Sequence, residues 1–279
     1  MKIYKLICLI CSFICCGNAE AFEIKFGSLE QGGIVYGTAK GYTEIKIGER
    51  RFMVDDNGDF LLAFERDASK DLNMSLIKKD GTEKQQLLLL RTNKWDVQKI
   101  SGISQKKVTP SANDLAAIKD ERRQVQEAVS MVTKIPYWKN GFMQPLNGRV
   151  SGKFGGQRIM NGHKMNPHNG MDIAAPVGTP VAAAGDGEVV LAANDLFYTG
   201  NVVIVNHGYG LQTIYAHLNE ISVKNGQKLK KGDLIGKVGK TGRVSGPHLH
   251  WGATLNGIRF NPITLLQLNN SEKNNISSL

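Results

Sequence analysis

The chain has 279 residues, six histidines, four cysteines and a formal net charge of +10 at pH 7. This length is sufficient for two domains with substantial cores. All four cysteines lie within the first 16 residues, so the rest of the chain has neither a disulfide framework nor a thiolate metal ligand. The positive charge favours an anionic polymer or surface as a neighbour, such as an acidic cell-wall polymer or lipid headgroups, and no nucleic-acid partner is expected.

The N-terminal stretch MKIYKLICLICSFICCGNAEAF has the pattern of a secretory signal. Two lysines precede an apolar run that ends at Cys16, and the small residues Ala19 and Ala21 follow it. The pattern predicts a signal peptide over residues 1–21 and delivery to the periplasm or cell envelope. The run is shorter than the roughly 20 apolar residues that cross a bilayer, so no stable membrane span is expected. Lipid attachment at Cys16 is the alternative, which the bulky residues ahead of it disfavour.

Residues 22–105 contain short apolar runs broken by turn signals such as DDNGD and KKDG at intervals of roughly ten residues. This spacing predicts a small, immunoglobulin-like β-sandwich. Residues 106–140 are predicted to form a helical linker, because SAND at Ser111 has the pattern of a capping box and Pro136 ends an apolar helical stripe. The stripe consists of Leu115, Ile118, Val125, Val129 and Val132. It covers fewer than three heptads, which disfavours a partner-binding coiled segment.

The chain returns to strand patterns and glycine turns over residues 141–265, and these predict an antiparallel β domain. The final segment, residues 266–279, ends in NNSEKNNISSL. Its polar composition predicts a disordered tail.

The motif GPHLHW contains two histidines one residue apart. Side chains alternate along a strand, so His248 and His250 are predicted to share one face. The opposite face is apolar and is predicted to pack in the core; it carries Leu249, Trp251, Ala253 and Leu255. The histidine face is then free to line a cleft, or it belongs to an ordinary half-exposed strand.

All six histidines follow residue 162, which indicates a functional cluster. In PHNGMD, a fully extended strand would separate His168 from Asp172 by about 13 Å. One zinc ion needs donor atoms within about 4 Å of one another, so the chain must fold back, and Gly170 is the residue that permits it. Two histidines and one carboxylate would leave a fourth zinc position open for water, as in hydrolytic zinc sites.

Three stretches together resemble the LytM or lysostaphin type of zinc peptidase, peptidase family M23. They are NPHNGMDIAAPVGTPVAAAGDGEVV, NVVIVNHGYGLQTIYAHL and GQKLKKGDLIGKVGKTGRVSGPHLHWGATLNG. The resemblance covers about 120 residues, and its motifs HxGxD and HxH, with YAHL between them, are specific in combination.

The resemblance implies one zinc ion held by His168, Asp172 and His250. It also implies a catalytic pair beside the metal, His217 and His248, with the general base left open between them. The expected activity is hydrolysis of amide bonds in peptidoglycan stem or cross-link peptides by a zinc-activated water. Peptidoglycan is then the main partner, with other envelope proteins as further candidates.

The local pattern of LQTIYAHL is consistent with these roles. Thr213, Tyr215 and His217 are predicted to share one strand face, beside the face that carries His248. Outside the site, His207 is predicted to be structural, at a hairpin turn. His163 is predicted to line the groove or to be solvated, and Trp251 to pack in the core.

Two other functions are compatible with parts of the pattern. One is a catalytically silent LytM-type module that activates a separate wall amidase, but such modules lack the ligands that are present here. The other is a biotinyl or lipoyl carrier, because VKNGQKLKKGDLIGKVG resembles the hairpin of such carrier domains. Carrier domains have no histidine cluster, which disfavours this function. The bond cleaved stays open among D-alanyl–diaminopimelate, a glycine bridge and another stem-peptide bond.

Overall fold

The structure is a computed structural model that describes residues 22–269. The predicted signal peptide and residues 270–279 lie outside this range. The described chain is built mainly from antiparallel strands with few helices, which confirms the mostly β fold class.

The N-terminal region forms two antiparallel sheets. Its strands are β1 (Phe22–Gly27), β2 (Ile34–Ala39), β3 (Glu44–Ile47), β4 (Arg50–Met53), β5 (Asp59–Ala63), β6 (Asp71–Ile77) and β7 (Glu83–Leu89). The sheet orders are β1-β2-β5 and β4-β3-β6-β7. Apolar side chains of both sheets, among them Phe60 and Leu76, belong to one buried cluster. The arrangement is that of two packed sheets, and its immunoglobulin-like character stays a prediction.

Strand β8 (Val97–Ile100) departs from the predicted sandwich. It pairs in parallel with β10 (Gln157–Met160), which also pairs with β11 (His163–Lys164). The sequence could not indicate this, because the partner strand lies about 60 residues further along the chain and strand patterns alone do not specify pairing.

Two helices follow, α1 (Gln105–Val108) and α2 (Ala112–Val129). The capping box is confirmed, since the Ser111 side chain accepts from the Asp114 backbone and the Asp114 carboxylate accepts from the Ser111 backbone. The helix ends before Pro136, contrary to the predicted stripe, and Val132 is exposed. The reason is that the backbone carbonyls just after the helix bond to the neighbouring sheet, the Met131 carbonyl accepting from the Gln212 side chain.

The C-terminal region contains a large sheet with the central order β17-β14-β15-β16-β19-β12-β9. The strands are β9 (Arg149–Gly152), β12 (Gly170–Ala174), β13 (Pro180–Ala182), β14 (Gly187–Leu196), β15 (Gly200–Gly208), β16 (Leu211–Ile221), β17 (Lys228–Leu229), β18 (Leu234–Val238), β19 (His248–Leu255) and β20 (Ile258–Phe260). Two 3-10 helices flank it, Tyr137–Asn140 and Pro262–Leu268.

The two faces of this sheet pack against different partners. Tyr215 lies opposite Trp251, and both side chains belong to the main core. Ala216 lies opposite His250 on the other face, where α2 covers part of the sheet through Ala128 and Val129. Helix α2 therefore packs on the same face of the sheet that carries His250.

The main core is continuous between the two regions, because one buried cluster contains side chains from both. The last 3-10 helix ends at Leu268, inside the segment predicted to be a disordered tail, and Leu268 belongs to this core. Burial of Leu265 and Leu268 explains why residues 266–268 are helical. None of the helices in residues 22–269 combines the length and apolar character that a membrane crossing requires.

Candidate functional site

Strands β12 and β19 bring the first two candidate ligands together. Asp172 and His250 are direct partners in this antiparallel pair, and such partners point to the same face. The strand prediction for HLH is confirmed: Leu249 and Trp251 are fully buried on the core face, and His250 is on the other face.

Glycine at position 170 has a different structural role from the one that the sequence suggested. It is the first residue of β12 and is absent from the glycines with positive φ, so it does not supply a left-handed turn. A Cβ at this position would lie 2.6 Å from the Cε1 and Nε2 atoms of His250. The same Cβ would lie 2.7 Å from the Trp251 carbonyl oxygen, so the missing side chain makes room for both the imidazole ring and the backbone of β19.

Three donor atoms converge in a small triangle. His168 Nε2 lies 3.0 Å from Asp172 Oδ1 and 3.1 Å from His250 Nδ1, and His250 Nδ1 lies 2.9 Å from Asp172 Oδ1. These three residues are buried, and each offers one ligand atom to a shared point. Ligands around a tetrahedral zinc with bonds near 2.1 Å are separated by about 3.4 Å, so the triangle is close to a zinc-binding geometry.

The positions of the protons in this cluster leave acceptor atoms facing one another, which favours a bound cation. The Lys153 carbonyl lies 2.9 Å from His168 Nδ1 and can only accept, so that nitrogen carries the proton and Nε2 presents a lone pair. This lone pair faces the carboxylate oxygen of Asp172, which is also an acceptor. A divalent cation between the donors relieves the repulsion, so the residues fit a metal ion.

The other two candidate residues lie beside the triangle with the same proton arrangement. The Nδ1 atoms of His217 and His248 each lie 2.9 Å from a backbone carbonyl, of Thr241 and Gly246 respectively. Each Nε2 atom therefore has a free lone pair. The two rings are 4.9 Å apart between centroids, and His248 Nε2 is 3.6 Å from Asp172 Oδ1.

The prediction that Thr213, Tyr215 and His217 share a face is wrong. Thr213 and Tyr215 hydrogen-bond to each other in the buried interior. His217 has a left-handed backbone with φ of 64°, at an irregularity in the pairing of β16 with β15, and its backbone N–H bonds the Thr199 carbonyl. This bulge turns the imidazole to the opposite face, beside His248 and His250.

Burial favours the neutral forms of His217 and His250. It lowers the pKa of His250 to about 4, despite the opposing effect of Asp172. Burial also lowers the pKa of His217 well below its ordinary value, and the neighbouring histidines add to this effect. For Asp172, burial opposes ionisation, but the adjoining His168 and His250 outweigh it and hold the pKa of the carboxyl well below the usual range. An ionised carboxylate and neutral imidazoles are the forms that bind metals.

Sequence reasoning missed Arg158, whose guanidinium bonds the second carboxylate oxygen of Asp172. This contact leaves Oδ1 directed at the histidines and fixes the orientation of the carboxylate. Arg158 comes from β10, a strand outside the large sheet, and only the FGGQR stretch before the HxGxD motif could have drawn attention to it.

The remaining histidines lie apart from the cluster. His207 is fully buried in β15, where its ring nitrogens contact the Asp186 carbonyl and the Thr213 hydroxyl, so the structural interpretation is supported. His163 is exposed in β11.

Residues 166–262 match the family model of Peptidase family M23. This part of the chain is therefore similar to M23 peptidases, and it is called the M23 domain below. The match includes the three converging donors and both neighbouring histidines, whereas α2 and the N-terminal sheets lie outside it.

Named relatives match part of the chain. Peptidoglycan DD-endopeptidase ShyA of Vibrio cholerae is 44% identical over 122 residues, which are 43% of this chain and 27% of ShyA. DD-carboxypeptidase/endopeptidase Mpg of Neisseria meningitidis is 41% identical over 134 residues, 47% of this chain and 31% of Mpg. The chain thus spans less than a third of the length of these relatives.

A solved structure shares the fold over most of the chain. It is the crystal structure of a Pseudomonas aeruginosa protein assigned to peptidase M23, with a TM-score of 0.68 and 24% sequence identity. The superposition covers 87% of this chain and 96% of the other, so it includes regions outside the M23 domain.

Proposed function

We propose that this protein is a zinc metalloendopeptidase of the cell envelope that hydrolyses amide bonds in peptidoglycan stem or cross-link peptides. The observation that carries the proposal is the triangle of His168, Asp172 and His250 donor atoms with His217 and His248 beside it. The printed names of the relatives, DD-endopeptidase and DD-carboxypeptidase/endopeptidase, support the substrate class.

His168, Asp172 and His250 would hold the metal. A zinc ion in this position supplies a Lewis acid that polarises the amide carbonyl and lowers the pKa of a water molecule. Arg158 holds the carboxylate of Asp172 in its ligating orientation, and the Lys153 carbonyl does the same for the ring of His168.

His217 and His248 then divide the proton chemistry. The free Nε2 lone pair of either ring can accept the proton of the attacking water, and the protonated ring can return it to the leaving amine. The other ring could donate a hydrogen bond to the developing oxyanion only as an imidazolium, because its Nδ1 proton already bonds a backbone carbonyl. Addition of water across the amide releases one carboxylate and one amine.

The silent-module alternative is disfavoured because all five side chains are present and the three donors converge. Localisation in the periplasm or cell envelope is part of the proposal and rests on the predicted signal peptide and on the named relatives.

The test is digestion of purified peptidoglycan by the protein without residues 1–21, with and without a chelator, followed by mass spectrometry of the released muropeptides. We expect chelator-sensitive loss of cross-linked dimers, restored by added zinc. Asp172→Asn is the inactive control. Intact muropeptides from the zinc-loaded protein would contradict the proposal.

A further inference from the structure

A cavity of about 380 Å³, open to solvent, adjoins the metal-binding cluster, and its wall includes His217 and His250. Four cationic side chains also line it: Arg122, Arg158, Lys164 and Arg243. No carboxylate lines this cavity among residues 22–269. A molecule bound there would lie within a few bonds of the reacting amide.

The cations of this cavity are not neutralised equally. Arg158 is paired with Asp172. By contrast, Arg122 and Arg243 form no ion pair with any residue in the part of the chain that the structure describes. Both guanidinium groups pack near the ring of Tyr198, with their Cζ atoms 6.0 Å and 4.4 Å from its centroid.

Arg243 has no ion-pair partner among the described residues, and its position is fixed by neighbouring contacts. Its backbone N–H bonds the Tyr198 carbonyl at 2.9 Å, and the residue is half-buried. Burial lowers its pKa, and the nearby Arg158 and Arg122 add to the effect. Partial burial of a cation without an anionic partner is unfavourable, and a bound anion offsets this cost.

We propose that Arg122 and Arg243 form a subsite that binds a carboxylate of the substrate peptide, namely the α-carboxylate of the residue that supplies the amine of the scissile amide. This inference rests on the proposed function. Lys164 lies at the rim of the cavity and adds to the positive field.

The position of the cavity selects this carboxylate. A free α-carboxylate on the amine side is separated from the scissile nitrogen by one carbon, whereas carboxylates of earlier residues on the carbonyl side are several bonds further away. Because the cavity wall includes the candidate catalytic His217, the nearest carboxylate fits best. The subsite therefore favours a D-alanyl–diaminopimelate cross-link, or a terminal D-residue, over an uncharged glycine bridge.

Half of this subsite comes from outside the M23 domain. Arg122 belongs to α2, which packs on the same sheet face as the metal-binding cluster. Its neighbour Arg123 is ion-paired with Glu127 and does not line the cavity. Arg123→Gln is consequently a matched control for Arg122→Gln on the same helix.

The experiment uses pairs of peptides that differ only at this carboxylate. A diaminopimelate cross-linked dimer is prepared with the amine-side carboxylate free or converted to its primary amide, and kcat/KM is measured for both. Binding of the amine-side product peptide, free or amidated, is measured by calorimetry. The proteins are the wild type, Arg122→Gln, Arg243→Gln, Arg243→Lys, the Arg122→Gln/Arg243→Gln double variant and Arg123→Gln, each checked for zinc content.

We expect the wild type to prefer the free carboxylate by about 10- to 100-fold in kcat/KM and in product affinity, as charge-assisted hydrogen bonds predict. The preference should fall towards one in the double variant, mainly through KM, while zinc content stays unchanged. Arg123→Gln should keep it, and Arg243→Lys should keep part of it.

Equal cleavage and equal binding of both forms by the wild type would overturn the subsite, and so would an unchanged preference in the double variant. If neither dimer is cleaved but the product shows the Arg-dependent carboxylate preference, the subsite stands and the proposed function fails. If both dimers are cleaved equally, the proposed function stands and the subsite fails.

Discussion

The donor atoms of Asp172 and His250 face each other across a strand pair, so loss of either should remove the metal. We expect Asp172→Asn and His250→Ala to lose zinc and activity together. His217→Ala should retain zinc and lose about 10²- to 10⁴-fold in activity, because its proton-transfer role does not include metal ligation. Metal analysis of the purified variants, with peptidoglycan digestion, tests this. Full zinc stoichiometry in both ligand variants would refute the ligand assignment.

Gly170 makes a second residue-level test possible without changing any ligand. Gly170→Ala should displace the His250 ring, because its Cβ would come within 2.6 Å of two ring atoms. We expect a loss of zinc affinity of about tenfold or more, comparable with disruption of ligand support in other metal sites.

The control for that variant is its cross-strand partner. Gly252→Ala would place a Cβ no closer than 3.5 Å to its neighbours, which is ordinary contact. Competition with a chromogenic chelator measures zinc affinity in both variants. Equal affinities would show that the close approach to His250 is not what requires glycine at position 170.

At the level of elements, the strand carrying HLH was predictable because its alternation is regular and one face is uniformly apolar. Strand β16 was not, because the left-handed backbone at His217 reverses the alternation at a single residue. Histidine gives no local signal for such a bulge. Only the Thr199 carbonyl that binds its N–H, and the neighbouring strands, explain the conformation.

The same limit applies to contacts made by separate elements. Arg158 reaches Asp172 from β10, and Arg122 reaches the cavity from α2. Neither residue belongs to a motif whose spacing encodes a shared site. The capping box at Ser111 was predictable, because all its atoms lie within four residues of the chain.

Strand β15 contains a buried group that makes the fold sensitive to acid. Burial lowers the pKa of His207 to about 4, whereas the unfolded chain takes up this proton near pH 6.5. The unfolded state therefore binds more protons between these values, and the free energy of unfolding falls as the pH decreases from about 6.5 to 4. The expected loss from this residue is about 3 kcal/mol.

Denaturant unfolding of chelator-treated protein at several pH values measures this effect. His207→Asn and His207→Gln should be less stable at neutral pH, because they lose contacts to Asp186 and Thr213. Between pH 4 and 6.5 the free energy of unfolding of these variants should also depend less steeply on pH, by the equivalent of up to one proton taken up on unfolding. The same pH slope in the wild type and in a folded variant would contradict the prediction.

On the scale of the whole molecule, the N-terminal sheets and the M23 domain share one buried apolar cluster. Polar contacts reinforce it: Lys139 binds Asp55 and Asp59, and the Asn261 backbone N–H donates to the Gly32 carbonyl. A core that is continuous across both regions should transmit destabilisation from one to the other. The two regions are then expected to unfold as one cooperative unit, although their sequence patterns differ.

Scanning calorimetry tests this with two leucines of the N-terminal sheets. Leu62 is fully buried and Leu89 is 58% exposed. Leu62→Ala should cost about 2 to 5 kcal/mol and lower the temperature of a single transition, at which zinc is also released. Leu89→Ala should change stability by less than about 0.5 kcal/mol. If Leu62→Ala instead produces a separate early transition while zinc release keeps its original temperature, the N-terminal sheets unfold independently and do not support the site.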